Sequence, residues 1–434
     1  MKEKKQYTYS TNQLAKSSIA SLGFKAVGML LSVIISPLIL EILGEYKYGV
    51  WASVLSLTSW IYTFDLGIGS SIKNKVSASL VKEDYEAARA YISISYMLTA
   101  VISIICFLVI FILLQIFDFR KMLGFEELDE NINNVIFVAF GLICINFVLV
   151  NIQNILTAMQ KVELVHAYST FAQILYYIGL LICRKNALNY IIIVAALQGS
   201  SQALKNLIAT IKVFYKDIRI RPDIKLVKWK YAHVFLNFGI KAFVIQIASV
   251  ILNSTDNLII SKCIGASAVT PYDFCHKYFG IISNVFMIVL SPFWVGYSMA
   301  YEKKDRIWIK KTLKQSMKIL SLFNMGVFFA AFVFRPFSEI WLGKLLNFQK
   351  GLIPFMAFYF GAQMFSSTFA SFLMGTGNID RLFVVNIFQA IANVPLSVFF
   401  IINMDMRVNG AIIGSIIVIT VGAVVAVFES IKVI

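Results

Sequence analysis

The chain has 434 residues, of which 59% are hydrophobic and only 14% charged, and it carries a formal net charge of +16. Soluble domains contain about 45–50% apolar and about 25% charged residues, so this composition excludes a soluble enzyme and is typical of a polytopic membrane protein. The apolar runs are about 20 residues long. They lack the in/out alternation of a membrane barrel, which predicts transmembrane helices.

Taken in chain order, the apolar runs predict an all-α fold with twelve transmembrane helices. The predicted limits are 17–43, 48–69, 91–116, 134–158, 167–183, 188–211, 233–260, 277–300, 316–334, 352–376, 382–403 and 410–431. We expect two pseudo-symmetric six-helix lobes at 1–215 and 232–434, joined by a basic cytoplasmic linker at 216–231.

A short pattern that contains a lysine supports this division. It occurs as Gly-Phe-Lys-Ala at 23–26, in the first predicted helix, and as Gly-Ile-Lys-Ala at 239–242, in the first helix of the second half. The pattern favours two bundles that face each other across a cavity, with one lysine entering from each.

Lysine and arginine are distributed unevenly over the two predicted membrane faces. With the N-terminus inside, the inner segments hold 25 of these residues and the outer segments 11. The positive-inside rule then places both termini in the cytoplasm. Anionic lipid headgroups account for this basic face better than nucleic acid does, and we expect the stretch 300–318 to be partly amphipathic on the same face.

The residue types that perform catalysis or bind metals are scattered. His166, His233 and His276 have no partner at metal-ligand spacing, the five cysteines form no Cys-x-x-Cys pair, and no phosphate-binding Gly-x-x-x-x-Gly-Lys-Ser/Thr loop is present. The acidic cluster at 124–130 fits a solvated helix start. We therefore expect no catalytic residues, no metal site and no cofactor, and the sequence favours transport.

Four predicted spans carry polar stripes that are rich in amides on one helical face. Such stripes either hydrogen-bond a neighbouring helix or line a water-filled cavity, and amides bind sugars without needing charge. In the fourth, sixth, seventh and eleventh spans they include Asn146, Gln153, Asn154; Gln198, Gln202, Asn206; Gln246, Asn253, Asn257; and Asn386, Gln389, Asn393. The amides that we predict to bind substrate are Gln198, Gln202, Asn253, Asn386 and Gln389.

Several charged residues lie inside predicted spans, where a central charge costs roughly 2.5–3.5 kcal/mol, and five of them are candidate site residues. Lys25, Lys205 and Lys241 lie about five to nine residues from the cytoplasmic helix ends, close enough to snorkel to water. Together they predict a cationic vestibule for an anionic headgroup such as a diphosphate. Asp65, near the end of the second span, could pair with Lys25. Asp256 lies nearer the outer membrane face, as either an ion-coupling group or a hydrated interfacial carboxylate. Asp65 and Asp256 are also among the residues that we predict to bind substrate.

Four stretches of sequence carry a resemblance to a known family. They are LGEYKYGVW at 43–51, DLGIG at 65–69, IKNK at 72–75 and STDNLII at 254–260. The first three resemble Wzx-type polysaccharide flippases of the multidrug/oligosaccharidyl-lipid/polysaccharide superfamily. The fourth is similar to that family's signature in the seventh span.

The resemblance implies a V-shaped, MATE-like transporter in the bacterial inner membrane that works by alternating access. Its substrate would be an undecaprenyl-diphosphate-linked oligosaccharide repeat unit, moved to the outer leaflet for O-antigen or capsule synthesis. The partners implied are this polyprenyl-diphosphate-linked oligosaccharide, membrane lipids, a polysaccharide polymerase and a chain-length regulator, with no nucleic acid.

Two other functions stay open. A multidrug or cation antiporter of the same architecture would bury mainly carboxylates to bind cationic drugs, whereas the deep charges here lean positive. A membrane glycan polymerase or transferase would need a sizeable outer loop, whereas the predicted outer loops are short. The sequence therefore favours the flippase.

Overall fold

The computed structural model describes residues 11–65, 67–227, 247–248, 250–252, 254–343, 346–376 and 380–433, with the backbone alone at 11–19, 63, 70, 295 and 380. Within these ranges the chain forms α-helices, short 3-10 turns and no β-strand. The predicted all-α class is confirmed.

The helices are numbered in chain order. Those of the first half are α1 Thr11–Ser59, α2 Ile68–Val81, α3 Tyr85–Ile116, α4 Phe119–Leu123, α5 Ile132–Leu149, α6 Asn151–Ala158, α7 Val162–Lys185 and α8 Ile191–Lys216. Those of the second half are α9 Asp256–Cys263, α10 Ala266–Glu302, α11 Arg306–Leu342, α12 Leu352–Thr376, α13 Asp380–Ile402 and α14 Val408–Val433.

Nine helical runs among the described residues are long and apolar enough to cross a membrane, so the chain is a multi-pass membrane protein. One of them, Ala20–Tyr62, contains most of the first two predicted spans. The predicted seventh span, 233–260, lies mostly outside the described residues, and α12 is not among the nine although it has 25 residues. The count of twelve spans stays a prediction.

The second predicted span differs most from the structure. Within α1 the helix is interrupted at Gly44, whose φ of 75° favours glycine. A 3-10 turn at Trp60–Asp65 and a left-handed Gly67 follow, and the helix resumes as α2 up to Val81. The expected end of the helical run at residue 69 is therefore wrong, and Asp65 lies in a break between two helices.

The chain divides into two compact units. The first comprises Met1–Gly44, Thr58–Met122 and Glu126–Phe243, and the second Glu45–Leu57, Leu123–Phe125 and Val244–Ile434. The segment Glu45–Leu57 thus groups with the second unit, although the predicted first lobe, 1–215, contains it. The lobe boundaries stay a prediction.

Each unit has its own apolar core. In the first unit, Ile72 of α2, Ile92 of α3 and Ile155 of α6 are fully buried in one cluster. In the second, Tyr297 of α10 and Phe372 of α12 are fully buried in another. Because lipid is as apolar as these side chains, such cores stabilise a membrane protein mainly through van der Waals packing.

The first residues of the predicted linker pack against α3. Ile220 is fully buried in the core of the first unit, and the Arg89 guanidinium lies 3.0 Å from the Asp223 carboxylate. The backbone N–H of Asp223 donates to the Ser93 hydroxyl at 2.8 Å. This part of the stretch is therefore held on the helical bundle of its unit.

Candidate functional site

The second unit contains a cavity of about 230 Å³. Among the described residues that line it, none carries a formal charge, and most carry an amide or a hydroxyl group. They are Leu252; Tyr359, Gln363, Ser366, Ser367 and Ala370 of α12; Asn386 and Gln389 of α13; and Ser415 and Ile419 of α14.

Helical spacing brings these side chains to one place. On α12, the lining positions 359, 363, 366, 367 and 370 follow the pattern i, i+4, i+7, i+8 and i+11, so they share one face. α14 packs against both α12 and α13. The predicted substrate-binding residues Asn386 and Gln389 both lie in this cavity wall, three residues apart.

Gln389 is fixed by the backbone of α14. Its side-chain amide donates to the Val418 carbonyl at 2.7 Å, and a Cβ added at Gly422 would come within 2.1 Å of the same Nε2 atom. Glycine at 422 is thus what lets the Gln389 amide fit, and the Gln389 carbonyl oxygen keeps its accepting capacity.

Asp256 lies behind the cavity wall and is 8% exposed. The Tyr272 hydroxyl donates to Oδ2 of Asp256 at 2.5 Å, and the Ser415 hydroxyl donates to the same atom at 3.2 Å. Ser415 in turn accepts from the Asn393 amide at 2.8 Å. Asp256 is therefore connected to the cavity through Ser415, and it forms no ion pair with any described residue.

A second polar cluster of the same unit joins α1 to α10. The Tyr48 hydroxyl donates to Oδ2 of Asp273 at 2.8 Å, and the Lys277 ammonium lies 2.7 Å from both Asp273 Oδ2 and the Tyr48 hydroxyl oxygen. Next to it, a Cβ added at Gly49 would lie 1.8 Å from the Ala266 carbonyl oxygen. Glycine therefore permits the close approach that brings Tyr48 to its partners.

In the first unit, Lys205 of α8 is 5% exposed. Its ammonium donates to the Ser169 hydroxyl of α7 at 3.2 Å, and no described carboxylate lies within ion-pair distance. On the next residue of α7, the Thr170 hydroxyl donates to the Phe24 carbonyl of α1 at 2.9 Å. The structure thus places two of the predicted lysines, Lys205 and the partly buried Lys25, on helices that contact one turn of α7.

Asp65 caps a helix. Both oxygens of its carboxylate accept from the backbone N–H of Gly69, at 3.2 and 3.0 Å, in the first turn of α2. A negative charge at a helix N-terminus is favourable. An ion pair between Asp65 and Lys25 is not formed among the described residues.

The amide stripes of α5, α6 and α8 bond mostly to one another. Asn206 donates to Asn146 at 2.8 Å, Asn146 donates to the Tyr62 hydroxyl at 3.0 Å, and Gln153 donates to Asn206 at 2.9 Å. For these three amides, contact with a neighbouring helix is the arrangement that forms. Gln198 differs, because its buried carbonyl oxygen has no hydrogen-bond partner in the part of the chain that the structure describes.

The remaining predicted residues are placed as follows. Gln202 is partly buried on α8, whereas Lys241 and Asn253 lie outside the described residues. Sequence reasoning missed Gln363, Ser366 and Ser367 of α12, although their spacing on an apolar helix is the same signal that identified the other stripes. It also missed Tyr48, which carries no such signal.

Solved structures with a similar fold define the class. A multidrug resistance MATE family transporter of the MOP superfamily, solved in an inward-facing conformation, has a TM-score of 0.70 at 12% identity, with 94% of each chain covered. A MOP superfamily transporter from Pyrococcus furiosus has a TM-score of 0.68 at 13% identity, covering 97% of this chain and 95% of that one. The chain is a multi-pass membrane protein with the helical fold of these transporters.

Sequence comparison supplies the family. The family model described as polysaccharide biosynthesis protein matches residues 14–295, and the chain belongs to that family. A candidate O-antigen transporter of Salmonella typhimurium is 23% identical over 412 residues, 93% of this chain and 91% of the relative. A candidate O-antigen export protein of Yersinia pseudotuberculosis is 23% identical over 392 residues, 85% of each chain. The resemblance found in the sequence is confirmed at the level of family, and these relatives are named for transport rather than for catalysis.

Proposed function

We propose that this chain is a flippase for undecaprenyl-diphosphate-linked oligosaccharide repeat units. It moves them from the inner to the outer leaflet of the bacterial inner membrane, by alternating access of two lobes, for O-antigen or capsule synthesis. Both termini lie in the cytoplasm. Family membership and the relatives named for O-antigen transport or export support this proposal.

The observation that carries the proposal is that the Lys205 ammonium is buried with a single hydrogen-bond partner among the described residues. A buried ammonium has three donors, and here one hydroxyl is its only hydrogen-bond partner among the described residues. Burial of an unpaired charge is unfavourable, so Lys205 has unused capacity for an anionic ligand. A lipid-linked diphosphate is such a ligand, and lysine binds phosphate as a point charge.

The proposed site divides the substrate between residue types. The lysines bind the diphosphate, and the amides bind the glycan, while the polyprenyl chain stays in the lipid. Asp65 caps α2, and Asp256 holds Ser415 in the cavity wall. The diphosphate group is assigned to Lys25, Lys205 and Lys241, and the glycan group to Gln198, Gln202, Asn253, Asn386 and Gln389. A polymerase and a chain-length regulator take over the exported repeat unit.

The location of lipid-linked intermediates tests this function. In a strain that depends on this chain for its surface glycan, deletion should trap single repeat units on the cytoplasmic side, and the native chain should release them. The double variant Lys25→Met/Lys241→Met should insert into the membrane without restoring export, whereas Lys303→Met/Lys318→Met, at exposed positions, should restore it. Repeat units trapped on the outer side would instead indicate a polymerase.

A cation antiporter is the second candidate, and Asp256 is the observation that favours it. This buried carboxylate has hydroxyl donors but no described cationic partner. A cationic drug or an ion could bind such a group. Drug susceptibility that rises on deletion, with surface glycan unchanged, would establish the antiporter in place of the flippase.

A further inference from the structure

We propose that the cavity of the second unit is a subsite for one uncharged sugar residue, separate from the groups that bind the diphosphate. This inference rests on the proposed function and adds to it the chemical class and the size of the group that the cavity accepts. The lining of the cavity, its unused hydrogen-bonding capacity and its volume all support a sugar ligand.

The lining excludes the charged and the fully apolar parts of the substrate. A diphosphate is held by cations or by clustered backbone N–H groups, and the described residues that line the cavity include no lysine, arginine or histidine. A polyprenyl chain needs an apolar surface, whereas seven of the ten lining residues are amides, hydroxyls or a phenol. Sugar hydroxyls both donate and accept, as do these side chains.

Several of the lining groups have capacity left for a ligand. Ser366, Ser367 and Asn386 make no hydrogen bond to any described residue, although all three line the cavity. Gln389 uses its amide N–H on α14 and leaves its carbonyl oxygen. These groups come from two helices, so a ring with hydroxyls on several carbons could engage α12 and α13 together.

One wall is held in a fixed orientation. Ser415 donates to Asp256 and accepts from Asn393, so both functions of its hydroxyl are in use. Asn393 and Asp256 are positioning residues in this arrangement, because they act on the cavity through Ser415. A lining that combines a fixed hydroxyl with groups that have no hydrogen-bond partner among the described residues is suited to discrimination between sugars, since a ligand that lacks a hydroxyl leaves such a group unpaired.

The volume limits the ligand to one residue. Pockets for drug-sized ligands measure about 300–1,000 Å³, and this cavity measures about 230 Å³. A single sugar ring fits within this volume, whereas a whole oligosaccharide does not. The cavity therefore binds one sugar residue of the repeat unit.

The test is binding of lipid diphosphates that differ only in the sugar. The full-length protein is titrated by native mass spectrometry with undecaprenyl diphosphate and with its glucosyl, galactosyl, N-acetylglucosaminyl and N-acetylgalactosaminyl derivatives. We expect at least one derivative to bind about tenfold more tightly than the sugar-free lipid. Ser367→Leu, which fills the cavity, should bring this ratio close to one.

Two further variants keep the test decisive. Ser321→Leu makes the same change at an exposed position of α11 and should leave the ratio as it is in the native chain. If Ser367→Leu does not fold, the milder Ser366→Ala/Ser367→Ala variant should still lower the ratio by about three- to tenfold, since it removes two hydrogen-bonding groups.

The outcomes separate the subsite from the function. If the native chain binds all five lipids equally, or if Ser367→Leu and the double alanine variant both retain the native ratio, the sugar subsite is wrong and the flippase stands. If the native chain binds none of the five, the flippase itself is wrong, and the subsite falls with it.

Discussion

The surroundings of Lys205 in the first unit and those of Asp256 and Asp273 in the second unit differ in how completely each buried charge is paired. Asp256 accepts from two hydroxyls, and Asp273 accepts from a tyrosine and pairs with a lysine. Lys205 donates to one hydroxyl. A buried charge with several hydrogen-bond or ionic partners stabilises the packing around it, whereas one with a single partner keeps more affinity for a ligand. On this comparison we expect the carboxylates to contribute stability and Lys205 to bind an anion.

The largest expected effect is on transport by a Lys205→Met variant. Loss of charge-assisted hydrogen bonds to a phosphate, worth about 1.5–3 kcal/mol, should lower the rate of repeat-unit transport in proteoliposomes by about 10- to 150-fold. Thermal stability should stay level or rise, because removal of a poorly paired buried charge relieves its desolvation cost. Lys216→Met, at an exposed position of α8, is the control. Native transport with lowered stability would mean that Lys205 stabilises the fold and does not bind the anion.

The next effect is on stability, in the cluster of Tyr48, Asp273 and Lys277. Lys277→Met leaves the Asp273 carboxylate without its cation and should cost about 2–3 kcal/mol, below the range for a fully buried pair because the lysine side chain is 39% exposed. The measurement is thermal unfolding in detergent. The double variant Lys277→Met/Asp273→Leu should recover part of the loss. A double variant that is less stable than Lys277→Met alone would contradict this account.

A smaller loss is expected from Asp256→Asn. The asparagine carbonyl oxygen can take the place of Oδ2 and accept from both Tyr272 and Ser415. These hydrogen bonds are then no longer charge-assisted, which should cost about 1–2 kcal/mol. Transport of repeat units should fall much less than in Lys205→Met. If export stops in Asp256→Asn while its unfolding temperature is unchanged, this carboxylate acts in transport and the two units share that function.

The smallest effect concerns Asp65. Asp65→Asn keeps an acceptor for the Gly69 N–H but removes the negative charge at the start of α2, which should cost about 0.3–1 kcal/mol. Asp65→Ala removes the cap as well and should cost about 1 kcal/mol more. Equal stability of the two variants would show that the charge, rather than the cap, is what matters at this position.

The class of fold and several site residues could be predicted from the sequence, because both depend on local patterns. Long apolar runs identified most of the helices, and the spacing of Asn386 and Gln389 indicated one helical face before the cavity was known. The end of the second span was missed because α2 is amphipathic. Lys73, Asn74 and Lys75 lie on its exposed side, whereas Ile72 and Val76 are fully buried, so average hydropathy falls where the helix continues.

Other features could not be predicted because they depend on pairing between distant parts of the chain. The Asp273 and Lys277 spacing of four residues indicates an ion pair on a helix, but nothing local assigns Tyr48 to it. The hydroxyls around Asp256 are contributed by α10 and α14, and neither helix carries a signal for the other. A single sequence gives positions on a helical face, and the partner of that face follows only from the packing.

The segment Glu45–Leu57 has a consequence for biosynthesis. Tyr48 leaves the ribosome 225 residues before Asp273 does, and at about 5–20 residues per second that interval is about 11–45 s. During this interval the stretch lies in the translocon or the lipid, and the Tyr48 hydroxyl has not yet formed its hydrogen bond to Asp273. The second unit therefore cannot be completed from the C-terminal part of the chain alone, and a nascent chain that stalls before α10 leaves an early helix without its native neighbours.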